Sequence, residues 1–86
     1  SGLFTTYLKS VKGVNWGFVI TSRKDNTSRV SFRSAPGSVS VRILTEQMKI
    51  GGGHDRASGG KIDKKYPEQA LQVILDWMEK NRPVLV

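Results

Sequence analysis

The sequence has no cysteine. That excludes a disulfide framework and a thiolate zinc site, and it fits a reducing compartment such as the cytoplasm. It has one histidine, His54, too few imidazoles for a self-contained metal centre of the usual kind. No apolar run approaches the ~20 residues of a membrane-spanning helix, so no membrane partner is expected. The opening "SGLFTTYLKSVKG" lacks the basic-then-apolar pattern of a cleavable leader, and it lacks an initiator methionine, which suggests a piece of a longer chain. Acidic residues are scarce and scattered: Asp25, Glu46, Asp55, Asp63, Glu68, Asp76 and Glu79 form no cluster able to hold two cations. There is no Cys-His pair, and no serine sits in a strand–turn–helix elbow, so nucleophilic catalysis is not supported.

What the chain has in excess is positive charge. Fourteen Lys and Arg face seven Asp and Glu, for a net charge of +7 and a pI near 10.2. Such a domain attracts polyanions, with nucleic acid and phosphorylated ligands first among them. At 86 residues it is one domain, residues 1–86, with room for a modest core but not for a large enclosed pocket.

Local patterning gives the elements. "NWGFVIT" is apolar and β-branched and reads as a strand. "RKDNTS" is a polar turn, and "RVSFRS" alternates, with Val30 and Phe32 on one face and Arg29, Ser31 and Arg33 on the other. The two strands predict a hairpin with an apolar inner face and a basic outer one. Ser38 or Ser40 can cap a helix carrying Val41, Leu44 and Met48, which should end at Gly51 to Gly53. "ASGGKI" is consistent with a short strand. Pro67 opens a last helix with the stripe Ala70, Leu71, Ile74, Trp77 and Met78, ending near Asn81. Leu3, Phe4, Tyr7, Leu8 and Val11 suit a helical stripe at the start. The expected class is α/β, one small domain in the order (α)ββαβα around a small mixed sheet.

The most unusual stretch is "KIGGGHDRASGGKI", which holds five of the nine glycines around His54. Consecutive glycines let backbone N–H groups approach an anion, and such groups in a turn form a phosphate-binding nest. The plain alternative is a tight turn whose histidine satisfies a carbonyl. A Walker loop is excluded because no Gly-Lys-Ser/Thr follows the glycines. A dinucleotide fingerprint is excluded because the glycines follow a helix rather than a strand. His54 and Asp55, as neighbours, do not easily converge on one ion.

"VSFRS", then "GSVSVRILTEQ", then "GGGHDRASGG" together resemble the DHH-associated C-terminal domain of DHH-family phosphoesterases. The resemblance covers roughly residues 15 to 80. Arg33 and Ser34 match the family's Arg-Ser pair. Gly51, Gly52, Gly53 and His54 match its GGGH segment, and Ala57 and Gly59 match the tail. Ser58 replaces a usual alanine, and Ile50 stands where many members have a further glycine. The resemblance implies a fragment of a two-domain hydrolase. Its missing catalytic domain, in the same parent chain, would hold two manganese ions, while this domain has no cofactor and is inactive alone. It also implies that Arg33, Ser34, the amides of Gly51 to Gly53 and His54 grip a phosphate of single-stranded nucleic acid or of a phosphorylated nucleotide. Arg29, on the strand face of Arg33, would extend the groove. Trp16 and Phe18 are candidates for base stacking, Phe18 more readily assigned to the core. The alternative is a stand-alone or synthetase-type RNA-binding module; the synthetase-associated domain lacks the His after the glycines. An upstream Asp-His-His would decide for the phosphoesterase.

Overall fold

The computed structural model describes residues 3–9, as strand backbone, and residues 15–86. Three strands come first: β1 (Leu3–Lys9), β2 (Asn15–Ser22) and β3 (Ser28–Ser34). Then follow α1 (Val41–Met48), β4 (Gly51–His54), β5 (Ala57–Ile62) and α2 (Pro67–Lys80). The strands make one five-stranded sheet in the order β1-β2-β3-β5-β4. The α/β class is as expected, with three departures in detail.

The N-terminal stripe is a strand, not a helix. Leu3–Lys9 pairs antiparallel with β2 and covers an edge that the hairpin would otherwise expose. Its Thr-Thr-Tyr centre also favours extended backbone; Val11 lies outside the described residues. The sheet is antiparallel at every pairing rather than mixed, because α1 leads the chain to the far edge and β5 then returns beside β3. Finally, the glycine run is itself a strand, β4, at the sheet edge.

Alternation decides the core. Trp16, Phe18 and Ile20 of β2, Val30 and Phe32 of β3 and Ile62 of β5 are all buried on one face. Phe18 links Trp16 and Phe32 through tilted ring contacts at 6.0 and 5.5 Å. Val41 and Leu44 of α1 and Ala70 and Ile74 of α2 close over this face, with Met48, Trp77 and Met78 half-buried at its margin. Burial of Trp16 and Phe18 removes both from base stacking. α1 packs on β3, β4 and β5, while α2 packs on β1 and β2.

The helix ends follow local chemistry. Ser40 caps α1 by accepting from the Ile43 N–H at 3.2 Å. α1 stops at Lys49, which takes the left-handed conformation (φ 60) just before the glycines. Pro67 is the first residue of α2. Residues 84–86 lie against the segment before α1, with Ser40 N donating to Val84 O at 2.7 Å and Val86 N to Ser38 O at 3.0 Å. Among the described residues, no helix is long and apolar enough to cross a membrane.

Candidate functional site

The sheet face opposite the helices carries the basic candidate residues. On β3, Arg29, Ser31 and Arg33 point to it, because Val30 and Phe32 point to the core. On β5 the same parity places Ala57, Gly59 and Lys61 there, and on β4 it places Gly52 and His54. The register arranges these residues in rows across the strands. Arg33, Ala57 and His54 form one row; Ser31, Gly59 and Gly52 form the next; Arg29 and Lys61 form the third. Arg29, Arg33, Gly52, His54 and Lys61 are all exposed. Arg33 and His54, 21 residues apart in sequence, therefore stand in one row two strands apart, about 9–10 Å between backbones. At rest the Arg33 guanidinium donates to the Phe32 carbonyl at 2.9 Å.

The three consecutive glycines have different reasons to be glycine. A Cβ on Gly51 would lie 2.0 Å from the Gly59 carbonyl oxygen. One on Gly53 would lie 2.7 Å from the Ala57 carbonyl oxygen, and its φ of +151 is itself unsuited to a side chain. Both are needed for β4 to lie against β5. A Cβ on Gly52 would meet nothing within 4 Å. Its missing side chain leaves the exposed face bare beside Gly59.

The glycines are extended backbone rather than a turn. A nest needs successive N–H groups on one side, whereas a strand alternates them. Lys61 N donates to Ile50 O at 3.0 Å, so the ladder turns the backbone groups of Gly52 and His54 toward β5 and those of Gly51 and Gly53 toward the open edge. The Gly51–Gly53 amides do not converge on one anion.

Ser34 is not brought onto the face of Arg33. It points the other way, and its hydroxyl donates to the Asp55 carbonyl at 3.0 Å. Asp55, the residue after His54, is a local hub. Its carbonyl also accepts from Val41 N at 3.0 Å. Its carboxylate accepts from the Ser40 hydroxyl at 2.6 Å and from Arg42 Nε at 3.1 Å. The Ser40 hydroxyl bond, seconded by the charges of Arg42 and Arg56, holds the Asp55 carboxyl below its ordinary pKa against a smaller opposing effect of desolvation. Arg56 turns away from the face, its guanidinium donating to the carbonyls of Ala35 and of Val86, the latter at 2.9 Å. The β4–β5 turn is thus bolted to the end of β3 and the start of α1, which fixes His54 relative to Arg33.

Sequence reasoning named Gly52 and Gly59 but did not place Gly59, Lys61 or Arg23 on this face. The signal was the parity of "ASGGKI", legible only once β5 is known to pair with β3. No group of three or more His, Asp or Glu among the described residues is placed to hold a metal. Asp55 is engaged by Ser40 and Arg42 while His54 stands on the open face, so the two do not share an ion.

An antiparallel sheet with helices on one face and an open, cationic, glycine-floored surface on the other defines a small α/β domain built around an exposed sheet face rather than an enclosed cavity. Residues 2–80 match the family model of the DHHA1 domain, and the chain belongs to that family, the DHH-associated domain of DHH-family phosphoesterases. No match was found among curated proteins or among solved structures.

Proposed function

We propose that this chain is the substrate-gripping domain of a DHH-family phosphoesterase and that its open sheet face holds a phosphate of single-stranded nucleic acid or of a small nucleotide. The observation that carries the reading is the row shared by Arg33 and His54, with the bare Gly52 beside it. Arg33 supplies a fixed positive charge and a planar fork of donors suited to phosphate oxygens. His54 supplies an imidazole from the opposite side of the same row. Gly52 lets a ligand approach the sheet without meeting a Cβ. Ser34 acts as a positioning residue, tying the strand end that carries Arg33 to the turn that carries His54. Bond cleavage belongs to a catalytic domain in the same parent chain, where two manganese ions would activate water and stabilise the leaving oxygen; this face presents the phosphate.

Titration of the chain with thymidine 5′-monophosphate at low salt tests this. Arg33→Gln and His54→Gln should each weaken binding, Arg33→Gln by about tenfold or more, the size of one charge-assisted contact. Unchanged affinity in both variants, with unchanged melting curves, would refute the reading. In the parent enzyme, Arg33→Gln raises KM if the contact is equal in ground and transition states, and lowers kcat as well if it tightens during the reaction.

A further inference from the structure

A second cationic station lies on the same face, at the other end of β3. Arg29 of β3 and Lys61 of β5 are directly paired across the strands. Like charges placed opposite one another destabilise a sheet. Among the described residues, neither has a carboxylate within ion-pair distance. Arg23, just beyond the end of β2, joins them; it pairs with Asp25 at 3.5 Å. Arg23, Arg29 and Lys61 line a shallow recess of about 410 Å³ with Gly52 and Gly59. A Cβ on Gly59 would make only an ordinary contact, 3.5 Å from the Val30 carbonyl oxygen, so the fold does not demand a glycine there any more than at Gly52. Packing alone therefore leaves room for a side chain at both positions.

Four residues along β3 separate Arg29 from Arg33, about 13 Å of strand. A stacked nucleic-acid strand places one phosphate per about 3.4 Å, so this interval spans about four phosphate-to-phosphate steps stacked and fewer stretched. Between the two stations lies one row, Ser31, Gly59 and Gly52, which lacks a Cβ on β5 and β4 and lets sugars or bases lie close to the backbone there.

We propose that Arg29 and Lys61, with Arg23 at their side, form a second phosphate subsite, and that the strip floored by Gly59 and Gly52 joins it to the Arg33–His54 row. The domain then selects a single-stranded oligonucleotide of several phosphates over a mononucleotide. This deepens the reading of the Arg33–His54 row and rests on it.

The test compares thymidine 5′-monophosphate, a 5′-phosphorylated thymidine pentamer and tripolyphosphate, all binding the intact chain at one low salt concentration. The wild type should bind the pentamer about tenfold or more tighter than the mononucleotide, since extra phosphate contacts add to affinity. The double variant Arg29→Gln, Lys61→Gln keeps the side-chain stems of two exposed residues, and its melting curve checks the fold. It should lose about tenfold on the pentamer and less than about twofold on the mononucleotide. Equal losses on both probes would mean a diffuse field and overturn the subsite, as would no loss on the pentamer. Tripolyphosphate binding as tight as the pentamer would overturn the oligonucleotide assignment. Arg33→Gln is the separate arm: if it weakens neither nucleotide probe, the Arg33–His54 reading fails whatever the double variant does.

Discussion

Gly52 has neither of the reasons its neighbours have for being glycine. Gly51 and Gly53 hold β4 against β5, where a Cβ would strike backbone. Gly52 faces open space above an exposed sheet. The three alanine variants should therefore separate. Gly51→Ala and Gly53→Ala should each lower stability by about 1–3 kcal/mol, since backbone must move or strain must be accepted. Gly52→Ala should leave stability within about 0.5 kcal/mol, as for a surface change, yet weaken nucleotide binding by putting a methyl on the floor. Thermal melts and binding titrations on all three check the pattern. Normal binding by Gly52→Ala would show that no ligand comes close to that part of the sheet.

The turn between β4 and β5 behaves as an extension of the α1 cap. Ser40 both caps the helix and donates to the Asp55 carboxylate. Ser40→Ala should cost about 0.5–2 kcal/mol as a lost cap, and the cost should shrink in an Asp55→Asn background, because the pair shares one interaction. Asp55 also sets a pH dependence. Its folded pKa lies below the ordinary carboxylate value, chiefly through the Ser40 bond. The unfolded state therefore binds the proton more readily, and stability rises with pH across that interval. The Asp55 contribution is complete above the unfolded value, about 3.9, and is lost as pH falls through the lower folded one. Asp25, lowered by its bond from Thr27 and by Arg23 and Lys61, acts in the same sense. Melting temperature should hold steady from neutral pH to about 5 and fall below about 4. The deficit of Asp55→Asn against wild type should narrow over that acid range. A constant deficit down to the lowest pH would exclude the Ser40–Asp55–Arg42 link as a source of stability.

At the scale of the whole molecule, part of the positive charge stands on the open sheet face. The net charge is +7. Arg42 of α1 is paired with Glu46 and with Asp55 of the β4–β5 turn, whereas Arg29, Arg33 and Lys61 stand on the open sheet face. Binding to single-stranded oligonucleotides should accordingly fall with salt, log K against log salt having a slope of about −0.7 for each phosphate neutralised. The slope should become shallower by about that amount for each cation removed from the face and stay unchanged in Lys80→Gln, on the opposite, helical side. A slope insensitive to which lysine or arginine is removed would argue against a localised path.

Patterns that repeat over a few residues needed no partner to be read. "RVSFRS" alternates because a strand puts neighbours on opposite faces, so Arg29 and Arg33 were a shared basic face before any fold was known. Ser40 was a candidate cap from its position, and Pro67 a helix start from its missing N–H. The Arg33-Ser34 and GGGH segments, taken together, were enough to suggest the family. What depended on tertiary structure was everything set by a distant strand. "GGGH" has no side-chain pattern before its histidine, so nothing local distinguishes a turn from a strand; β5 makes it one by pairing with it. That pairing turned the supposed nest into alternating backbone groups and gave Gly51 and Gly52 opposite meanings. Leu3–Lys9 suits a helix by spacing but became a strand against the free edge of β2. Ser34 is off the face that carries Arg33 because adjacent residues in a strand cannot share one. Lys61 joined Arg29 only through the β3–β5 register, since a single residue of slip would have turned it into the core.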